Sequence, residues 1–401
     1  MLGLYPRAIV HVDGDAFFAS CEVARDPSLK GRSVVVGGLR GIAVALTYEA
    51  KARGVVRGMP TYQILKLVPD VVVLPGDYDL YAAYAQRMYR IVKRHSDCVE
   101  EYSIDECFAD VTGTIDPEAV AREIKRDLEL DLGITFSVGL ATTKVLAKVA
   151  SKHSKPAGLV FIPEGREVPF LENLLVGKVW GIGPATVSKL NRQGILTALQ
   201  FRNLPTWKLS EEFAKPHRAL WAELRGEQVY AVDPESHADQ KSVASTRTFR
   251  PPTKDRARVR AELAKNVELA CAHAREKGLA SRHLYCFLKS QEFQYRRFEI
   301  TLVQRTNSSS EVLRAVLPQF EREFREGIVY RATGITLADL APKSVVQHDL
   351  FSMHETEGKI AHIWETIDSL RGAVFLAASM GARKKTEHEQ SLGLPYMGEV
   401  T

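Results

Sequence analysis

The chain has 401 residues, 45% hydrophobic and 26% charged, enough for about two to four domains with a sizeable core. No apolar run approaches the roughly 20 residues of a membrane span, and "MLGLYPRAIVHVDGD" meets charge too soon for a secretory signal. The net charge of +5 is unevenly spread: residues 236–345 carry 20 Lys and Arg against 12 Asp and Glu, the remainder 34 against 37. A basic segment beside a slightly acidic remainder suggests a module facing a polyanion such as nucleic acid, although charge alone leaves an unpartnered basic surface open. Five scattered cysteines (Cys21, Cys98, Cys107, Cys271, Cys286) have no CxxC spacing. They form neither a disulfide framework nor a zinc site, and a reducing cytoplasm is expected.

In chain order, "RAIVHVD" (7–13) predicts a buried strand and "SVVVGG" (33–38) another, ending in glycines. "GIAVALTYEAKARG" (41–54) predicts a strand and then a helix stopping at Gly54. Residues 77–95 have helical apolar spacing, and "CVEEYSIDECFADVTG" predicts a hairpin turning around Ser103–Glu106. "PEAVAREIKRDLELDLG" reads as an amphipathic helix, "ITFSVGLA" as a strand, and "TTKVLAKVASKHSKP" as a basic helix ended by Pro156. Residues 166–235 lack strand-like runs; within them "VWGIGPATVSKLNRQGI" resembles a helix-hairpin-helix. In such a motif glycines, here Gly181 and Gly183, let backbone N–H groups approach a DNA phosphate, though an ordinary helix-joining turn has the same look. A polar stretch (233–242) reads as a linker to four strands and two helices in the order βαββαβ, coinciding with the basic segment. The fold class is α+β.

"EYSIDECFAD" (101–110) sets Asp105 and Glu106 side by side in an apolar run. Adjacent like charges raise a pKa unless a cation neutralises them, and a solvated turn is the ordinary explanation for such a pair. The first strand, however, ends in "HVDGDAFFASCE", with Asp13 and Asp15 flanking Gly14. A strand-end Asp plus an acidic hairpin pair can assemble a two-metal site, in which hard ions such as Mg²⁺ take carboxylate oxygens.

These segments, with "TYEAKARGV", "KVLAKVASKHSKPAGL" and "VWGIGPATVSKL", occur in the order found in Y-family translesion DNA polymerases, and over residues 7–345 the chain most closely resembles the DNA polymerase IV branch. The resemblance implies a right-hand polymerase: palm 1–18 and 77–165, fingers 19–76, thumb 166–235 and a βαββαβ little finger 236–345. It implies catalytic carboxylates Asp13, Asp105 and Glu106 with the Gly14 carbonyl as a further metal ligand, and two Mg²⁺ ions that Mn²⁺ could replace. Asp15 is not a family ligand and is expected to be structural. Phe18 matches the steric gate that excludes a ribose 2′-hydroxyl, and Phe17 reads as core. Tyr48, Lys51 and Lys155 match triphosphate-binding positions. Lys51 stands where relatives usually have Arg, with Arg53 two residues on, so the charge is kept and the bidentate fork lost. Lys144, Lys148 and Lys152 recur every four residues on one helical face and are expected to touch primer phosphates. Arg247 and Arg331 match little-finger positions near the template backbone.

"QHDLF" (347–351) resembles the bacterial sliding-clamp-binding peptide, with Leu350 and Phe351 entering an apolar pocket and Gln347 bonding at its rim. It lies in a segment, 346–401, that otherwise reads as a tail. The partners implied are primer–template DNA, a deoxynucleoside triphosphate and the clamp, for a cytoplasmic, nucleoid-associated monomer without membrane. The function expected is low-fidelity, template-directed synthesis across damaged bases. A catalytically silent adaptor of the family would lack the acids retained here. A palm-like cyclase or two-metal nuclease would not explain the helix-hairpin-helix, the basic module or the clamp peptide. No P-loop is present, which argues against a motor ATPase.

Overall fold

Strand β1 (Ile9–Gly14) is buried along its whole length, and helix α1 (Phe17–Arg25) follows it directly. The computed structural model describes residues 5–38, 41–235 and 241–342, in two units, 5–235 and 241–342. After α1 come β2 (Val34–Val36), β3 (Ala45–Leu46), α2 (Tyr48–Ala52), α3 (Thr61–Leu67) and β4 (Val72–Leu74). The chain continues through α4 (Tyr78–Val92), β5 (Val99–Ser103), β6 (Glu106–Asp110), α5 (Pro117–Leu132), β7 (Phe136–Ala141), α6 (Lys144–His153) and β8 (Leu159–Ile162).

The central sheet has the order β5-β6-β1-β7-β8, and β1 runs antiparallel to both β6 and β7. Alternation divides its side chains between two cores. Val10, Val12, Cys107 and Val138 face α4 and α5, which present Tyr81, Met88, Ile124 and Leu128 at helical spacing. Ile9, Phe108 and Ala141 face α6. Asp13 and Glu106 are register partners in step with Ile9 and Phe108, so both carboxylates belong to the α6 side. The hairpin and the two amphipathic helices stand where the periodicity predicts them. Helices α1 and α3 and the short strands β4 and β8 are additional to that reading.

Helix α6 lies unusually close to β7. A Cβ on Gly139 would sit 2.2 Å from the Ala147 carbonyl oxygen and 2.3 Å from the Ser151 nitrogen, both backbone atoms. Gly139→Val is therefore expected to push α6 off the sheet and lower stability by about 3 kcal/mol, measured by denaturant unfolding. An unchanged midpoint would contradict this packing.

A smaller sheet, β3-β2-β4, packs with α2 and α3 over Val35, Leu46, Ala50, Ile64 and Val68. Beyond β8 the described residues to 235 form no strand but the helices α7 (Val168–Leu171), α8 (Pro184–Arg192), α9 (Ala198–Arg202), α10 (Thr206–Glu212) and α11 (Lys215–Leu224). The Gly181–Gly183 turn precedes α8. Gly181 has φ +87° and its missing Cβ would press within 2.9 Å of Leu220, whereas Gly183 has open space around it.

The second unit contains β9 (Ser242–Thr253), α12 (Arg256–Glu276), β10 (Leu279–Ser290), β11 (Tyr295–Thr306), α13 (Ser309–Glu323) and β12 (Tyr330–Pro342), the βαββαβ order read from sequence. Its antiparallel sheet has the order β11-β10-β12-β9, and Val259, Leu263, Val312 and Phe320 of the helices cover one face through Leu284, Leu288 and Ile335. Among the described residues no helix is long and apolar enough to cross a membrane.

Candidate active site

Three backbone segments meet where β1 ends. The Gly14 N–H donates to the Asp105 carbonyl at 2.8 Å, tying the acidic turn to the end of β1. A side chain at residue 14 would collide with Phe17, its Cβ lying 2.6 Å from Cδ2, so glycine permits both the bond and the turn into α1. Asp13 is opposite Glu106, and the Ser103 hydroxyl donates to Asp105 Oδ1 at 2.7 Å.

Lysines neutralise this cluster. Lys155, in the loop after α6, donates to Asp13 and lies 3.5 Å from Asp15 Oδ1. Lys148 donates to Glu106 Oε2 at 2.5 Å from a side chain only 5% exposed, its ammonium 4.4 Å from the Tyr102 ring centre and 5.3 Å from that of Trp180. Burial pushes Asp13 up to about 7 against the pull of Lys155, with the Glu106 carboxylate adding to the rise. Burial would raise Glu106 as well, but the Lys148 hydrogen bond and charge outweigh it and hold that carboxyl below the ordinary glutamate range. Beneath Glu106, His11 is fully buried, bonded through Nδ1 to Ser151 Oγ at 2.7 Å, with its ring tilted 51° to that of Phe108 at 4.6 Å. Burial, then Lys148, lower its pKa, so the imidazole is neutral. The Asp13 and Glu106 carboxylates face each other closely while Asp105 is engaged by Ser103, and among the described residues no group of three metal-ligating side chains is drawn together.

Around the acids stand the other residues singled out in the sequence. Phe18 is half-buried and stacks face to face on Tyr81 (4.2 Å, 10°), with Tyr78 edge-on at 5.6 Å, while Phe17 is core. The Tyr48 hydroxyl lies 3.5 Å from Asp15 Oδ1, and burial, then Asp15 and Asp13, raise its pKa. The Lys51 ammonium lies 4.0 Å over the Tyr48 ring, its pKa lowered by burial and then by nearby Lys155. Arg53 is committed elsewhere, bidentate to Asp70 at 2.6 and 2.8 Å, and does not restore the fork missing at Lys51.

The lysine row on α6 departs from expectation. Lys144 is buried and bonded at 2.5 Å to Glu100, which also accepts the Asp233 N–H; it anchors the chain after α11 and offers nothing to a phosphate. Lys148 is likewise buried, on Glu106, and only Lys152 stays exposed. Four-residue spacing aligns the three, but the strands beside the helix supply acids to two of them. A cleft of about 480 Å³ opens beside this face, lined by Lys148, Lys152, His153, Phe170, Lys178 and Trp180.

In the second unit the register partner of Arg247, Thr333, is fully buried, which places Arg247 on the helix side of the sheet; its side chain is nevertheless about half exposed, with Nε 3.9 Å from Glu262 of α12. Arg331 sits over the Phe293 ring at 4.4 Å. Lys289 lies 4.7 Å from Phe293 and 4.6 Å from Tyr295, and Arg297 5.0 Å from Tyr295. Lys289 and Arg297 were missed in the sequence. The signal for Lys289 was the alternation in β10, where Leu284, Cys286 and Leu288 are core and Tyr285, Phe287 and Lys289 take the other face. Gln347, Leu350 and Phe351 lie outside the described residues.

Residues 12–152 match the impB/mucB/samB family, and residues 240–350 match its C-terminal domain. DNA polymerase IV of Brucella melitensis biotype 1 is 31% identical over 382 residues, covering 94% of this chain and 85% of that protein. DNA polymerase IV of Listeria innocua serovar 6a is 32% identical over 346 residues, covering 84% and 96%. The chain belongs to the Y-family DNA polymerases. It falls in the DNA polymerase IV branch and is a DNA-directed DNA polymerase of the translesion class, dependent on divalent metal. The fold of this polymerase agrees: a Y-family chimera of Dbh and Dpo4 superposes with a TM-score of 0.71 at 24% identity, covering 83% of this chain and 98% of that one. An insertion ternary complex of Dbh DNA polymerase gives 0.58 at 24% identity, covering 82% and 98%.

Proposed function

We propose that the polymerase joins a deoxynucleoside monophosphate to a primer 3′-hydroxyl opposite damaged template bases, releasing pyrophosphate. The observation that carries this is the pairing of Asp13 with Glu106 across β1 and β6, with Asp105 tied to Gly14 beside them. In the assignment of parts, palm is 1–18 and 77–165, fingers 19–76, thumb 166–235, little finger 236–345 and clamp-binding tail 346–401.

The residues fit hard divalent ions: three carboxylates and the Gly14 carbonyl are oxygen donors on adjoining backbone, and two lysines already compensate their charge. Asp13, Asp105, Glu106 and Gly14 would hold two Mg²⁺, with Mn²⁺ able to replace them. Bound there, the ions would stabilise charge on the attacking and leaving oxygens of an in-line displacement. Lys155, Lys51 and Tyr48 bind the triphosphate; Lys155 exchanges Asp13 for phosphate oxygen, and Lys51 acts as a point charge without a guanidinium's fork. Phe18, braced by Tyr81, closes the space beside the sugar. Lys152, the cleft along α6, and the backbone at Gly181 and Gly183 take the primer strand, while Lys289, Arg297 and Arg331 contact template phosphates without reading sequence.

Primer extension tests this. With Mg²⁺ and four deoxynucleotides, the unaltered chain should copy both an undamaged template and one with an abasic site, and Asp105→Ala should copy neither. No extension by either protein, despite tight DNA binding, would leave an adaptor instead.

We read the chain as a cytoplasmic monomer carried to the nucleoid by DNA and clamp, in keeping with five free cysteines. The "QHDLF" peptide supports clamp binding. Leu350→Ala with Phe351→Ala is expected to weaken clamp binding about 30-fold or more, as loss of an apolar anchor does, and leave extension without clamp unchanged. Clamp titration under primer extension measures it.

A further inference from the structure

Asp15 is almost wholly buried and is not one of the carboxylates assigned to metal. Its carboxylate serves four groups from separate parts of the chain. Ser137 Oγ, on β7, donates to Oδ1 at 2.8 Å, and the Ala157 N–H donates to Oδ2 at 2.7 Å. The Lys155 ammonium lies 3.5 Å from Oδ1, and the Tyr48 hydroxyl, at the start of α2, is also 3.5 Å from Oδ1. Its own backbone is fixed as well: the Asp15 N–H donates to the Thr135 carbonyl at 3.0 Å, and the Asp15 carbonyl accepts Ser20 Oγ at 2.5 Å.

A buried carboxylate needs hydrogen bonds and a cation, and Ser137, Ala157 and Lys155 supply them. Those needs do not explain which groups converge. Two of the four, Lys155 and Tyr48, are the ones read above as holding the triphosphate, and they are 107 residues apart in the sequence. Ala157, two residues after Lys155, is held in the left-handed region at φ +56°, and its bond to Asp15 fixes the loop that carries Lys155. Asp15 thus grips Lys155 twice, through the ammonium and through the loop.

We propose that Asp15 is the positioning residue of the triphosphate site, setting Lys155 from the palm side and Tyr48 from the fingers side onto one incoming nucleotide. The proposal rests on the polymerase reading and on the triphosphate role of those two residues. When phosphate draws Lys155 away from Asp13, Asp15 remains as the acid that keeps the ammonium in reach. The sequence suggested a purely structural Asp15; the convergence of Lys155 and Tyr48 on it adds a substrate-binding task.

The test is single-nucleotide insertion as a function of dNTP concentration, with thermal unfolding and primer–template affinity measured alongside. Asp15→Asn keeps the volume and one acceptor and removes the charge. Ser137→Ala removes one donor to Asp15 without approaching the nucleotide. Asp15→Asn is expected to raise KM for dNTP about 10-fold with kcat changed less than about 3-fold, the pattern of lost uniform binding. Ser137→Ala should move KM in the same direction by about 2-fold to 3-fold, and DNA affinity should be unaltered in both. Folded Asp15→Asn protein with an unchanged KM, or with kcat lost while KM stays fixed, would overturn the proposal. If Asp15→Asn does not fold, Ser137→Ala decides, and its unchanged KM would overturn it. Active unaltered chain with unmoved variants defeats this proposal alone. An unaltered chain that adds no nucleotide defeats the polymerase reading and this proposal with it.

Discussion

Asp105→Ala is expected to bind primer–template DNA as the unaltered polymerase does and to insert nucleotides about 1,000-fold more slowly or worse. The side chain is only partly buried, and among the described residues its one hydrogen bond is with Ser103 in the same turn. The bond that fixes the turn to β1 uses the Asp105 backbone carbonyl and survives the substitution. Removing the carboxylate therefore leaves neither a core cavity nor a stranded buried cation, and the unfolding free energy should change by less than about 0.5 kcal/mol. What is lost is an oxygen donor in a cluster proposed to stabilise transition-state charge, a contribution of several kcal/mol, with each 1.4 kcal/mol about tenfold in rate. Asp13→Ala would be a poorer probe, because it also strips Lys155 of a partner. Single-turnover insertion beside DNA-binding anisotropy separates the two effects. Wild-type insertion by Asp105→Ala would remove this residue from the site and reopen the solvated-turn reading of the acidic pair.

The segments that accompany the pair argue against that reading, and the legible parts of this fold share one property: they are local. The hairpin at Ser103–Glu106, the amphipathic faces of α4 and α5, and the βαββαβ order each follow from spacing within a single segment. Lys144 and Lys148 show where such spacing stops informing. The period aligns them on α6, but what they meet, Glu100 and Glu106, arrives from β5 and β6 through the strand order of the sheet. A basic helical face and a row of buried ion pairs look identical in a window of ten residues. The face that Arg247 takes is likewise not local, since it is set by the pairing of β9 with β12 and by the helix laid over them. The role proposed for Asp15 depends on Ser137, Ala157 and Tyr48, none of which its own segment contains. Shortness alone does not hide a strand, since β2, three residues, was read from "SVVVGG" while β4, three residues, and β8, four residues, were not.

Neighbouring phenylalanines supply the second large effect. Phe18→Ala is expected to raise ribonucleotide incorporation relative to deoxynucleotide by about 100-fold, the scale at which removing apolar bulk relaxes a pocket's discrimination. Deoxynucleotide insertion itself should fall by less than about 10-fold. A flexible ring would be a poor gate; Phe18 is held parallel to Tyr81, with Tyr78 edge-on beside it, contacts each contributing about 0.5–1.5 kcal/mol beyond area burial. Tyr81 is fixed in turn, because its hydroxyl donates to Glu22 at 2.6 Å and its ring is buried. Phe17→Ala is the contrasting case. Its ring is 3% exposed in the core between β1 and α4 and lies against Gly14, so its loss should cost about 3–5 kcal/mol of stability without changing sugar preference in whatever protein remains folded. Competition between ATP and dATP opposite template thymine, run on both variants with denaturant unfolding, measures the pair of effects. If the two variants shift sugar preference equally, the gate is a property of general packing at the start of α1; if only Phe18→Ala shifts it, the discrimination is made by the ring stacked on Tyr81.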